Sequence, residues 1–265
     1  MSEAVLFETQ GSTLIITINE PERRNVLSRA VYEPVEKALS DAVAPDSSVR
    51  AVVITGAGQF FSAGGDLRML KQRREMPLPD REEQIEFLHS MIRTVRACPL
   101  PVIAAVEGGA AGAGASLAFA CDMIVASEGA KFTLAYVNAG LVPDGGGSGF
   151  LSMNLPRQLA SEMCLTGQPV LTERLYAMGV VNRVVAPGDA LSDALDLTEA
   201  LSRGPRQAQA SIKSLIAAPE REAFNAHLLR ERRLMSIALG SDEAQEGIRA
   251  FEEKRKPVFP DSHGS

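Results

Sequence analysis

Asp144 stands in Val142-Pro143-Asp144-Gly145-Gly146-Gly147, a carboxylate between a proline and three glycines. An aspartate at such a place is a good helix N-cap. It is also a carboxylate with apolar neighbours, whose pKa burial would raise and a helix N-terminus would lower, so it suits proton transfer as well. Two glycine turns offer a different chemistry. The first is Ser62-Ala63-Gly64-Gly65-Asp66, after the apolar run 50–56. The second is Glu107 to Ser116, with glycines at 108, 109, 112 and 114, after the apolar run 102–106. Glycine lets backbone N–H groups face a ligand, and a helix N-terminus adds unpaired N–H groups and a positive dipole end. Such donors suit an anion or a carbonyl oxygen that gains charge during reaction. The same small residues also suit close helix packing. No GK[ST] follows, and Gly112-x-Gly114 meets Leu117 where a dinucleotide fingerprint needs glycine.

Other reactive side chains are dispersed. Cys98, Cys121 and Cys164 form no CxxC pair and read as free thiols of a reducing compartment. His89, His227 and His263 have no metal-ligand spacing, so neither a zinc site nor a histidine triad is expected. Glu107, just before the second turn, reads as structural.

The chain has 265 residues, 45% of them hydrophobic, which supports one large or two modest domains. It has no apolar run of membrane-spanning length and no basic, apolar leader at MSEAVLFETQ. A net charge of −6 and a pI near 5.3 argue against broad nucleic-acid binding. Partners are therefore expected to include no nucleic acid and no membrane, and the location to be cytoplasmic.

Several elements must position these residues. Strands are expected over 4–8, 12–18, 50–56, 102–106, 123–125 and 180–185, with a hairpin at Gln10-Gly11. Helices are expected over 29–43 with Ser28 as cap, and over 81–97 capped by Asp80. A very small-residue helix is expected within 110–118. Residues 68–80, charged and with two prolines, read as an exposed, mobile loop. Residues 128–149 read as a loop with a short helix, followed by helices over 145–153, 156–165 and 172–178. From 187 onward the chain reads as helical, over 188–203, 205–217, 220–239 and 242–254. Strand–helix alternation followed by helices points to an α/β core.

Collinear motifs then carry a resemblance across nearly the whole chain. They are PERRNVLS at 21–28, AVVITGAGQFFSAGGDL at 51–67, and PVIAAVEGGAAGAGASLAFACDMIVAS at 101–127. GLVPDGGGSGFL at 140–151, LASEMCLTG at 159–167, AMGVVNRVV at 177–185 and SDEAQEGIRAFEEKRKPVF at 241–259 follow in order. Together they resemble the crotonase, or enoyl-CoA hydratase/isomerase, superfamily. The resemblance implies an α/β ββα spiral core over 1–200 and a helical trimerisation region over 201–265, in a homotrimer or a dimer of trimers. It implies an acyl-CoA substrate, with coenzyme A as part of that substrate and no permanently bound cofactor.

By motif position, the resemblance makes the Gly65 and Ala113 N–H groups an oxyanion hole. It puts coenzyme A near Arg23, Arg24, Val26, Ala63, Asp66 and Leu67, with Phe251 and Lys254 reaching it from a neighbouring C-terminal helix. It puts the acyl pocket at Ser116, Tyr136, Asn138 and Val142. Typical hydratases of the family carry glutamates where this chain has Ser116 and Tyr136. Asp144 stands where some family isomerases hold their working carboxylate and a dehalogenase branch its nucleophile. The resulting expectation is a proton-shifting isomerase of unsaturated acyl-CoA. The alternatives are an enoyl-CoA hydratase, a thioester hydrolase, and a catalytically weak acyl-CoA-binding trimer.

Overall fold

Buried β-branched runs build the main sheet. The computed structural model describes residues 3–217 and 221–258. Its six-stranded sheet has the order β1-β2-β4-β6-β8-β11. These strands are β1 (Val5–Gln10), β2 (Thr13–Ile18), β4 (Ala51–Gly56), β6 (Val102–Val106), β8 (Met123–Ser127) and β11 (Arg183–Val185). Within this sheet, among the described residues, only β1 and β2 pair antiparallel, across the expected hairpin. The parallel strands β4 and β6 are buried along nearly their whole length, as sheets covered on both faces must be. Val52, Ile54, Val102 and Ala104 point into the main core with Val35 and Leu39 of α1 (Arg29–Ala42) and Ile92 of α3 (Leu78–Ala97). Val53, Ile103 and Ala105 point the other way, onto Ala190 and Ala194 of α8 (Ala190–Ser202).

After each inner strand the chain steps into a smaller sheet. β3 (Val26–Leu27) pairs with β5 (Gly64–Gly65), and β7 (Gly109–Ala111), β9 (Lys131–Thr133) and β10 (Val170–Leu171) form a second small sheet. A parallel bridge between Ser62 and Ala110 joins the two. This repeated step is the expected spiral, and it stacks the two glycine turns side by side. The small-residue helix α4 (Ala113–Ala120) starts later than expected, because Gly109–Ala111 is strand β7.

Residues 68–80 are not a loop. Helix α2 (Leu67–Arg74) begins there because the Asp66 side chain accepts the Arg68 N–H at 3.0 Å. Pro77 and Pro79 break nothing, since they stand before α3 and in its first turn, where no intrahelical N–H is needed. Asp80 lies inside that turn and is not the cap.

Helices α5 (Gly147–Asn154), α6 (Arg157–Thr166) and α7 (Thr172–Ala177) follow near their expected places. So do α9 (Arg206–Ala217), α10 (Arg221–Leu239) and α11 (Asp242–Glu252). Helix α10 packs on α3, and α11 packs on the 3-10 turn Ala135–Ala139. Among the described residues no helix is long and apolar enough to cross a membrane.

Candidate active site

The two glycine turns meet without room for a side chain. Gly64 has φ +88, and a Cβ on it would lie 2.5 Å from the Ala111 carbonyl oxygen and 2.9 Å from the Ala113 nitrogen. The Ala111 N–H donates to the Ser62 carbonyl at 2.9 Å, which fixes one turn against the other. Ala113 is the first residue of α4, so its N–H has no acceptor within that helix. Gly65, Gly112 and Ala113 all line one cavity of about 940 Å³.

Asp144 lines the same cavity and is 8% exposed. Tyr136, on the 3-10 turn, donates its hydroxyl to Asp144 Oδ1 at 2.7 Å. Ser116 donates to the Asp144 main-chain carbonyl at 2.9 Å. Burial pushes the Asp144 carboxyl up to about 6, the Tyr136 hydrogen bond pulls it down, and the Glu231 charge pushes it further up. Burial drives Tyr136 well above the ordinary phenol range, so its hydroxyl stays protonated and donates.

Asp144 does not cap α5 with its side chain. A glutamate from a distant helix does so. Glu231 of α10 accepts the Gly146 N–H at 2.7 Å and the Ser148 N–H at 3.3 Å. His89 of α3 accepts the Gly145 N–H on Nε2 at 3.1 Å. Burial pushes that imidazole down to about 4, so it is neutral and can accept. The glycines permit this cradle. A Cβ on Gly146 would sit 2.6 Å from the Phe224 ring, and one on Gly147 would sit 2.7 Å from Ser116 Oγ. The capping work is done elsewhere, and the Asp144 carboxylate is left facing the cavity.

Ser148, His227 and Glu231 meet, although their spacing in the sequence did not suggest it. Ser148 Oγ lies 2.8 Å from His227 Nε2 and 2.6 Å from Glu231 Oε1, and His227 Nε2 lies 3.0 Å from the same Oε1. Both imidazole contacts fall on one nitrogen, Nε2. A nucleophilic triad needs both nitrogens, one for the nucleophile and one for the orienting acid. None of the three lines the cavity. Among the described residues no cluster suited to a metal ion occurs.

Part of the cavity lining is polar. Arg23, Arg24, Val26, Ala63 and Asp66 line the cavity, together with Phe251 and Lys254 of the same chain's C-terminal region. Asn25 fixes the approach loop. Fully buried, it donates to the Ala57 carbonyl at 2.9 Å and to the Phe60 carbonyl at 2.6 Å, and accepts the Glu20 N–H at 3.0 Å. Arg24 and Asn25 both have positive φ, a conformation asparagine tolerates better than most residues. Arg23 pairs with Glu20 and Asp66, and the Arg24 guanidinium lies over the Phe60 ring.

The model of the family described as enoyl-CoA hydratase/isomerase matches residues 8–262. The chain belongs to the enoyl-CoA hydratase/isomerase family. It is 34% identical to the 2,3-dehydroadipyl-CoA hydratase of Escherichia coli K12 over 98% of this chain and 99% of that one. It is 33% identical to the 1,2-epoxyphenylacetyl-CoA isomerase of the same organism, again over 98% and 99%. Among solved structures, an enoyl-CoA hydratase from Polaromonas sp. JS666 is 44% identical, with a TM-score of 0.78 over 97% of this chain and 99% of that one.

As a member of this family, the chain keeps most of the expected residues around one cavity. Gly65, Ala113, Tyr136, Asn138 and Asp144 all line it. Two expected acyl-pocket residues do not. Ser116 is fully buried behind Asp144, beneath Gly145 and Gly147, and Val142 packs against the core while Leu141 faces the cavity. The Leu67 side chain lies outside the described residues. Glu107 is structural, as expected: its Oε1 accepts the Gly188 and Ala190 N–H groups at 3.1 and 2.9 Å at the start of α8. Sequence reading passed over Tyr32, Arg73, His89 and Glu231. Arg73 and Glu231 stand in charged runs that look like solvated surface, and nothing local marks them.

Proposed function

We propose that this family member shifts a proton, and with it a double bond, within an unsaturated acyl-CoA. The observation that carries the reading is Asp144, a buried carboxylate held at its Oδ1 by Tyr136 in the cavity that Gly65 and Ala113 also line. Of the other acids lining the cavity, Asp66 is held by Arg23 and by the start of α2, Glu252 by Lys71, and Glu22 is exposed. With the thioester carbonyl against the Gly65 and Ala113 N–H groups, loss of a carbon-bound proton gives a dienolate whose oxygen those donors stabilise. One such donor is typically worth about 3–4 kcal/mol in the transition state. Asp144 takes the proton from one carbon and returns it to another on the same face. A carboxyl whose pKa lies at about 6 both accepts and donates readily near neutral pH.

Coenzyme A would lie along the polar part of the lining, with its phosphates toward Arg23, Arg24 and Lys254 and its adenine end near Phe251. A homotrimer fits α9, which buries none of its own residues and leaves Ile212, Leu215 and Ile216 56%, 72% and 72% exposed. Sedimentation as a monomer at micromolar concentration would overturn that assembly.

Water addition is the second reading. The hydratase activities named for two of the similar proteins favour it, and the Tyr136 hydroxyl offers a second proton-carrying group. Incubating linear and cyclic enoyl-CoAs with the enzyme in deuterated water separates the two by mass. Deuterium exchange with a shifted double bond and no added water is the expected result. Stoichiometric gain of water without positional isomerisation would replace the proton-shift reading with hydration.

A further inference from the structure

One half-buried cation of the cavity lining has no part in a proton shift. Arg73, on α2, lines the cavity within electrostatic reach of Tyr32 and Asp144. Its Nε is buried and unpaired, and its guanidinium has no hydrogen bond or ion pair to any described residue. Its neighbour Arg74 is engaged, with the Ser241 carbonyl and with Gln245 Oε1 at 3.1 Å. Much of the lining that Arg73 shares is apolar, including Leu27, Leu70, Ile85, Leu88 and Met235. Arg73 is half-buried, and burying its Nε without a partner costs free energy.

Asp144 is not that counter-ion. No ion pair joins the two, and the Asp144 Oδ1 is held by Tyr136 instead. On the acyl-CoA reading, the phosphates of coenzyme A have their own cations in Arg23, Arg24 and Lys254, which are exposed. The missing partner must therefore come from the acyl group itself. We infer that Arg73 selects acyl-CoA thioesters whose acyl chain carries a second carboxylate at its distal end. A guanidinium binds a carboxylate through two parallel hydrogen bonds, a match no methyl-ended chain can make. The inference rests on the acyl-CoA reading of the cavity and not on which reaction follows.

The test is binding, so it survives failure of the proposed chemistry. Glutaryl-, adipyl- and pimelyl-CoA are titrated calorimetrically against pentanoyl-, hexanoyl- and heptanoyl-CoA, with free coenzyme A as reference. Wild type, Arg73→Met and Arg73→Lys are compared. These saturated thioesters lack the double bond that both proposed reactions need. At least one half-acid should bind wild type about tenfold or more tightly than its methyl-ended counterpart, as charge-assisted hydrogen bonds in a dry pocket give. Arg73→Met should erase that preference while leaving coenzyme A and the neutral thioesters bound as before, and Arg73→Lys should retain part of it. Equal wild-type affinity for both sets would overturn the inference. So would a preference that survives Arg73→Met, or an equal loss of every ligand including free coenzyme A.

Discussion

The phenolic hydroxyl of Tyr136 donates to Asp144 Oδ1 across 2.7 Å, and the Tyr136 ring faces the Gly112 turn that opens α4. The pair couples the cavity's acid to one of its two glycine turns. It also sets two opposing influences on that acid. Burial favours the neutral carboxyl, the phenol favours the carboxylate, and burial wins, leaving the pKa at about 6.

Activity should therefore rise with pH through an acid limb near 6, where Asp144 becomes a base. Tyr136→Phe removes the hydrogen bond that favours the charged form, so the limb should move to higher pH. Glu231→Gln removes a nearby negative charge, so the limb should move to lower pH. The stability linkage has the corresponding sign. Because the folded pKa lies above the unfolded one, the Asp144 contribution is fully present below about 3.8 and is lost as pH rises through about 6. Profiles of kcat/KM for the three proteins check the directions, and an unmoved limb in Tyr136→Phe would break the link to Asp144.

Asp144→Asn should lower activity about 100-fold or more, the loss expected when a general base is removed. Stability should not fall, because the α5 N-terminus is capped by Glu231 and not by this side chain. Above about pH 6 the neutral amide removes the cost of burying a charge, so the variant should be at least as stable as wild type. Turnover and thermal unfolding on one preparation test both statements. Full activity on a substrate the wild type converts would remove Asp144 from the chemistry.

Gly64→Ala should be damaging out of proportion to one methyl group. Its Cβ would collide with the Ala111 carbonyl oxygen and the Ala113 nitrogen, at a φ of +88 that alanine avoids. The two turns must separate, so stability should fall by about 1–3 kcal/mol, the usual cost of strain held at such a site. Activity should fall further than stability, since the proposed oxyanion hole of the Gly65 and Ala113 N–H groups would be pulled apart. Denaturant melts beside turnover at a temperature where the variant is folded would show it, and a fully active Gly64→Ala would contradict that proposed role.

Much of this molecule is written locally. The runs Ala51–Gly56 and Val102–Val106 are apolar on both faces, so they can only be inner strands, and the glycines after them mark the turns. Residues 21–28 and 241–259 carry the family's order of motifs. What local pattern misjudged was 68–80, where Asp66 caps a helix and the prolines stand at the start of the next one.

The amino-acid sequence by itself determined the α/β core and the two glycine turns, and it singled out Asp144 as the candidate acid. Tertiary structure decided what that carboxylate is free to do. Glu231 reaches Gly146 across 85 residues and His89 reaches Gly145 across 56, and together they take over the N–H groups that Asp144 would otherwise have satisfied. Ser116, at a position the family uses for acid, is turned behind the site to hold a carbonyl. The fold puts Arg73 in one cavity with Ile85 and Leu88 of α3 and Met235 of α10. Helix and strand are set by neighbours a few residues apart, whereas burial and charge pairing depend on groups the fold brings together from anywhere in the chain.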